Sequence, residues 1–146
     1  HLDENGNPGE FAGSALDFSY RHSAYTDQKL VITGLTFQLE KGDYSVIKAQ
    51  MEDYLGRRKA RQPLEYPSAG SMFKRPEGYY AAALIDQCGL KGLTVGGAQV
   101  SEKHAGFVVN RGGATCKDVL ELVEQVRTRV LAQTGVELEL EIRVLG

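Results

Sequence analysis

Thr115–Gly135 reads "TCKDVLELVEQVRTRVLAQTG", and what this segment packs against decides the fold. Val119, Val123, Val126 and Val130 recur at helical spacing, which predicts a helix with one apolar stripe. Thr115 stands where a side-chain oxygen can cap the first turn, Asp118 follows three residues later as the other half of a capping box, and Gly135 supplies the stop. Directly afterwards the period changes. In "VELELEIRV", Val136, Leu138, Leu140, Ile142 and Val144 alternate with Glu137, Glu139, Glu141 and Arg143, the pattern of a strand with one solvated face.

Upstream, "LKGLTVGGAQV" and "HAGFVVN" read as short β segments with glycines at bends or close approaches. "GYYAAALIDQCG" predicts a helix with Tyr80, Ala81, Leu84, Ile85 and Cys88 on one side and Gly89 as its stop. Pro63, Pro67 and Pro76 hold the preceding stretch extended, placing Ser71 in a constrained loop. "YSVIKAQMEDYLGRRKAR" predicts a helix ending near Arg61, with Asp43 available as its cap and Val46, Ile47, Met51, Tyr54 and Leu55 on one face. Before it, Leu35, Phe37 and Leu39 alternate with Thr36, Gln38 and Glu40, a predicted half-buried strand. Together these give an α+β chain with helices and a mixed sheet.

Composition bounds the function. The 146 residues carry a formal net charge of -2, so no basic field recruits nucleic acid or an anionic membrane. Apolar runs such as "AAALI" and "AGFVV" are far short of the roughly 20 residues that cross a bilayer. The opening "HLDENGNPGEFAGSALDF" has no initiator Met and no basic start before an apolar core, and reads as a cut end. Cys88 and Cys116 stand far apart with no CxxC, which predicts reduced thiols in a cytoplasmic protein and no metal site.

The chemistry-bearing candidates are "YRHS" (Tyr20–Ser23), "SAGSMFKRP" (Ser68–Pro76) and Glu141. In "SAGSMFKRP" a hydroxyl sits beside flexible backbone and two cations, Lys74 and Arg75, a composition suited to an anionic, oxygen-rich ligand near Ser71. It is neither a Walker loop, lacking GKS or GKT, nor GxSxG, because Ala69 occupies the first glycine's place. The run "RRKAR" ending at Arg61 is explained by the helix dipole and solvent. "GGAQV" and "NRGGAT" fall short of GxGxxG.

In order, "YRHS", "QPLEYPSAGSMFKRP", "LIDQCGLKGLTVGGAQVSEKHAGFVVN" and "ELEIRVLG" resemble the C-terminal half of the UDP-N-acetylenolpyruvoylglucosamine reductase family, from about Phe18 to Gly146. The resemblance implies a cytoplasmic FAD flavoprotein of peptidoglycan synthesis that uses NADPH to reduce the enolpyruvyl ether of a UDP-sugar. It implies residues 1–62 as the C-terminal portion of an FAD-binding domain, 63–135 as the substrate-binding domain, and 136–146 as a returning strand. Most of the flavin-binding region would lie N-terminal to the "YR" pair, so a chain of this extent is expected to be inactive alone. Ser71 matches the family's serine acid, which protonates C2 of the substrate after hydride reaches C3, and Arg21 and Glu141 match the other two catalytic positions. Lys74, Arg75, Arg61 and Tyr20 are the implied substrate contacts, Arg61 toward the diphosphate. The competing expectation is a non-enzymatic nucleotide-sugar binding module.

Overall fold

The computed structural model describes residues 1–144; Leu145 and Gly146, the end of the expected returning strand, lie outside the described residues. The chain divides into two compact units, His1–Asp43 and Tyr44–Gly146.

His1–Asp43 is held by side chains more than by backbone ladders. Its pairings are isolated bridges, Leu2 with Pro8 and Val31, and Ser19 with His22, beside a 3-10 turn at Gly13–Leu16. The rings of His1, Phe11 and Tyr25 cluster with centroids 4.9 to 5.4 Å apart. The strand expected across Leu35–Leu39 does not form. Leu35, Phe37 and Leu39 are 73%, 74% and 82% exposed. Alternation marks a face, but a strand exists only where another backbone edge accepts its hydrogen bonds, and the described residues of this unit offer these positions none.

In the second unit, α1 (Tyr44–Arg61) forms where the periodicity predicts it. Its stripe is nevertheless uncovered: Val46, Ile47, Met51, Tyr54 and Leu55 are 44% to 66% exposed. Local terms favour the helix, namely the Asp53–Arg57 pair at 2.8 Å, the Lys48–Glu52 pair at 3.9 Å, and Arg58, Lys59 and Arg61 at the negative end of the dipole.

The remaining elements are β1 (Ser68–Ser71), α2 (Ala81–Gln87), β2 (Thr94–Val95), β3 (Ala98–Val100), β4 (Phe107–Asn110) and α3 (Cys116–Thr134). The strands form one sheet in the order β1-β4-β3-β2. The α+β class holds, with the sheet antiparallel in each pairing rather than mixed. The β2–β3 hairpin turns on Gly96 at φ 52°. At Gly97 an added Cβ would collide with Gly112 O and lie 2.5 Å from Ala114 N, so the turn needs a glycine to let the two loops meet.

α3 lies across β2 and β3 and against α2. Its capping box is complete, with Asp118 N donating to Thr115 Oγ1 at 3.1 Å and Thr115 N donating to Asp118 Oδ2 at 2.8 Å, and Gly135 ends it at φ 72°. The buried stripe is Leu122, Val123, Val126 and Val130; Val119 is only half-buried, and Leu122 takes the central place the valine pattern concealed. α2 is shorter than expected. Ala81, Leu84 and Ile85 face the core, whereas Tyr80 is the N-cap residue and 63% exposed.

The expected constrained loop at Ser71 is instead β1, an edge strand whose C-terminal residue is Ser71. Ser68 and Ser71 pair with Val109 and Phe107, so β1 has one more residue than β4 between the same rungs, a bulge built on Gly70 at φ 84°. The closing segment also differs from expectation. Its alternation is real, since Leu138 is fully buried and Leu140 and Ile142 pack on the core, but among its described residues only Leu140 forms a bridge, with Phe73.

Leu122→Ala should cost about 2–5 kcal/mol in urea unfolding of this chain, while Leu131→Ala, at a position 48% exposed, should change stability by about 0.5 kcal/mol or less. The backbone and side chain of Thr115 hold the Asp118 carboxyl below its ordinary 3.8. A lowered folded value means the stabilisation is present above pH 3.8 and lost as pH falls through that lowered value. Melting of Asp118→Asn should therefore lack that acid-limb loss, which parallel thermal scans below pH 4.5 would read.

Candidate functional site

β1 and its continuation occupy the centre of the candidate site. Met72, directly after Ser71, donates its N–H to Gly106 O at 2.9 Å and accepts at its carbonyl from Glu141 N at 2.9 Å. The segment is thus paired with the β4 side along one edge and with the closing segment along the other. Lys74 N donates to Glu139 O at 2.8 Å, completing the rung at Phe73 and Leu140. Met72 and Phe73 are buried, so the flanking Ser71 and Lys74 remain the chemically available groups. Ser71 is exposed. Glu141 is half-buried, with Oε2 shielded from solvent.

This geometry brings Ser71, Lys74, Arg75 and Glu141 onto neighbouring positions of two adjoining backbone segments. Lys74 forms an ion pair with Glu139 across the rung, so an anionic ligand would compete with a carboxylate already in place. Arg75 is held differently. Its guanidinium lies 4.1 Å from the Tyr80 ring centroid and its Nε donates to Tyr79 O at 3.3 Å. Pro76–Tyr79 forms the turn that folds the chain back, with Tyr79 N donating to Pro76 O at 3.1 Å and Gly78 at φ 73°.

Glu139, Tyr79 and Tyr80 were not among the site residues that the sequence suggested. The turn-forming "PEG" was the available signal for the tyrosines, while Glu139 was hidden among alternating glutamates with a solvated reading. A second stacked pair, Arg111 over Tyr66 at 4.2 Å, ties the proline-rich loop to the end of β4, and Lys103–Glu65 at 3.4 Å ties it to the loop before β4. The backbone N–H of Glu65 itself and the Lys103 charge hold the Glu65 carboxyl low. His104 accepts from Gly106 N at 3.2 Å and stands edge-on to Phe107, a packing and capping residue.

Arg61 is exposed in the last turn of α1. Tyr20 and Arg21 belong to the His1–Asp43 unit, in a two-residue turn closed by Ser19 and His22 at 3.2 Å. Arg21 takes φ 57° there and its Cζ lies 5.3 Å from the Tyr20 centroid. Such a backbone is uncommon outside glycine and accompanies function often enough to note.

The glycine pairs are where the diphosphate of FAD, the cofactor the resemblance implies, would meet backbone N–H groups. Gly96 faces the Asp118 carboxylate, Gly97 is packed on Gly112 and Ala114, and the N–H groups of Gly112 and Ala114 already donate to Asn110 Oδ1 at 2.9 and 3.1 Å. Neither turn fits a flavin diphosphate. No group of histidine, cysteine, aspartate and glutamate suited to a metal exists among the described residues, and no helix there is long and apolar enough to cross a membrane.

The fold and site define an α+β domain that gathers a hydroxyl, two cations and a carboxylate along one sheet edge. Residues 62–145 match the family described as UDP-N-acetylenolpyruvoylglucosamine reductase, C-terminal domain, and the chain belongs to that family. Among curated relatives, the UDP-N-acetylenolpyruvoylglucosamine reductase of Clostridium novyi is 50% identical over 145 residues, 99% of this chain and 47% of its own length. That of Pediococcus pentosaceus is 52% identical over 131 residues, 90% of this chain and 44% of its own. The crystal structure of UDP-N-acetylenolpyruvylglucosamine reductase (MurB) from Thermus caldophilus matches with a TM-score of 0.68 at 38% identity, over 88% of this chain and 46% of that one. The chain spans about half the length of the curated relatives it matches.

Gly70→Ala should strain the left-handed residue on which the bulge turns, costing about 1–2 kcal/mol. Urea unfolding would show a lower midpoint at unchanged slope.

Proposed function

We propose that this chain is part of a reductase that converts UDP-N-acetylglucosamine enolpyruvate to UDP-N-acetylmuramate in peptidoglycan synthesis, in the cytoplasm. The observation that carries the reading is the Met72 junction, which sets Ser71 and Glu141 on adjoining segments, in a chain 50% identical to a curated reductase. FAD and NADPH, assigned to the whole protein, supply the reducing equivalents; the chain's own residues handle charge and protons. Residues 1–62 are allotted to the flavin-binding domain, 63–135 to the substrate domain and 136–146 to the returning segment. Nothing favours the non-enzymatic nucleotide-sugar module over this reading.

In it, Ser71 donates the proton that C2 of the substrate takes up. A serine hydroxyl is a weak acid, so its contribution depends on being held at hydrogen-bond range of the carbon that gains electron density. The bulge at Gly70 sets the backbone leading into Ser71, and Met72 anchors the backbone behind it. Arg21 neutralises the charge that develops on the substrate carboxylate, for which a guanidinium offers paired donors that a lysine lacks. Glu141 orients or polarises the reacting centre. Lys74, Arg75, Arg61 and Tyr20 contact the anionic UDP-sugar, with Arg75 already stacked on Tyr80.

In the full-length reductase, Ser71→Ala should lower kcat about 10²–10⁴-fold, with KM changed far less. A kcat within a factor of three of the parent would remove Ser71 from proton delivery. The 146-residue chain supplied with FAD, NADPH and substrate should show no turnover.

A further inference from the structure

The two cations that follow Ser71 differ in how their charge is met. Lys74 is paired with the Glu139 carboxylate. The Nη1 and Nη2 groups of Arg75 meet no carboxylate and no hydrogen-bond acceptor among the described residues, yet the guanidinium is held. Its Nε donates to Tyr79 O at 3.3 Å, and its Cζ lies 4.1 Å from the centroid of the Tyr80 ring. One edge and one face are thereby occupied from within the chain, and the edge formed by Nη1 and Nη2 is left to an outside partner.

The groups that hold Arg75 stand on a fixed base. Tyr79 N donates to Pro76 O at 3.1 Å and closes the turn, and Tyr80 follows as the N-cap residue of α2, its carbonyl accepting from Ala83 N at 3.0 Å and Leu84 N at 3.1 Å. Ala81, Leu84 and Ile85 are buried, so α2 seats the Tyr80 backbone on the core while Tyr80 itself is 63% exposed. On the other side of Arg75, the bond from Lys74 N to Glu139 O fixes the incoming backbone. The Tyr80 hydroxyl makes no hydrogen bond among the described residues, and it is the ring face that engages the cation.

We propose that Tyr80 is a positioning residue for ligand binding: its ring holds the Arg75 guanidinium so that the Nη1 and Nη2 edge is already oriented when an oxyanion of the UDP-sugar arrives. Paired N–H donors match two oxygens of one phosphate or carboxylate, and a long side chain ordered before binding has less rotamer freedom to lose at that step. The functional part of this inference rests on the reading of Arg75 as a substrate contact given above; the stacking does not.

The stack is measured first, in this chain. Arg75 side-chain protons over the ring are shifted upfield by its ring current, so Tyr80→Leu should return them to ordinary arginine positions and Tyr80→Phe should keep the shift. Both variants should melt close to the parent, because Tyr80 is exposed. Ordinary Arg75 positions in the parent overturn the inference. The second readout is the full-length reductase with its UDP-sugar substrate. Tyr80→Leu should raise KM about three- to tenfold at nearly constant kcat, and Tyr80→Phe should stay within about twofold of the parent. Arg75→Ala should raise KM as well, and adding Tyr80→Leu to it should raise KM no further, since the ring then has nothing to hold. A KM raised by Arg75→Ala but not by Tyr80→Leu overturns the positioning role alone, as does a Tyr80→Leu effect that persists undiminished without Arg75. A KM untouched by Arg75→Ala removes Arg75 from the substrate contacts and overturns the positioning role with it.

Discussion

The second unit hangs on the peptide groups at Met72. Its N–H is bonded to the Gly106 carbonyl and its C=O to the Glu141 N–H, each at 2.9 Å, while its side chain is 1% exposed. One residue thereby joins the sheet edge, the closing segment and the core. A buried backbone group left unpaired costs about as much as the hydrogen bond it forgoes, so the two bonds and the buried side chain enforce one another. Ser71 and Glu141 inherit their relative placement from this junction. The chemistry proposed for them requires positional accuracy more than unusual acidity, and a core residue bonded on both edges is a rigid way to provide it.

How much of this was legible depended on whether local sequence carried the deciding interaction. α3 was readable from Thr115 to Gly135 because its caps, stripe and stop are all internal to the segment. β1 was not. Ser68, Ala69, Gly70 and Ser71 have poor strand propensity, and the pairing comes from β4, nearly forty residues later, with Gly70 absorbing the extra residue in a bulge. The closing segment gave its inward face correctly, yet alternation says nothing about how many rungs a partner offers, and Met72–Lys74 offers one. At Leu35–Leu39 the same pattern met no partner at all among the described residues of its unit. Periodicity reports which side of a strand is apolar; pairing is decided by another part of the chain.

The functional residues divide along the same line. The hydroxyl and cations of "SAGSMFKRP" were visible as a composition, and the family resemblance supplied roles for Ser71, Arg21 and Glu141. What could not be read was how the groups are held. Arg75 is oriented by Tyr80 and the Tyr79 carbonyl, and Lys74 by Glu139 on a segment 65 residues away. These restraints arise from a turn and from a rung, and neither leaves a local signature in the charges themselves.

The uncovered stripe of α1 limits what periodicity can establish in another way. Val46, Ile47, Met51, Tyr54 and Leu55 specify a helix as clearly as the stripe of α3 does, and both helices formed where expected. α3 buries Leu122 and Val126 against a sheet, whereas every residue of α1 is exposed and its helicity rests on side-chain pairs and terminal charge. Such local terms are worth tenths of a kcal/mol each, against a few kcal/mol for one fully buried leucine. The two helices are therefore equivalent as patterns and unequal as energies, with stability concentrated in the part of the unit that carries the Met72 junction.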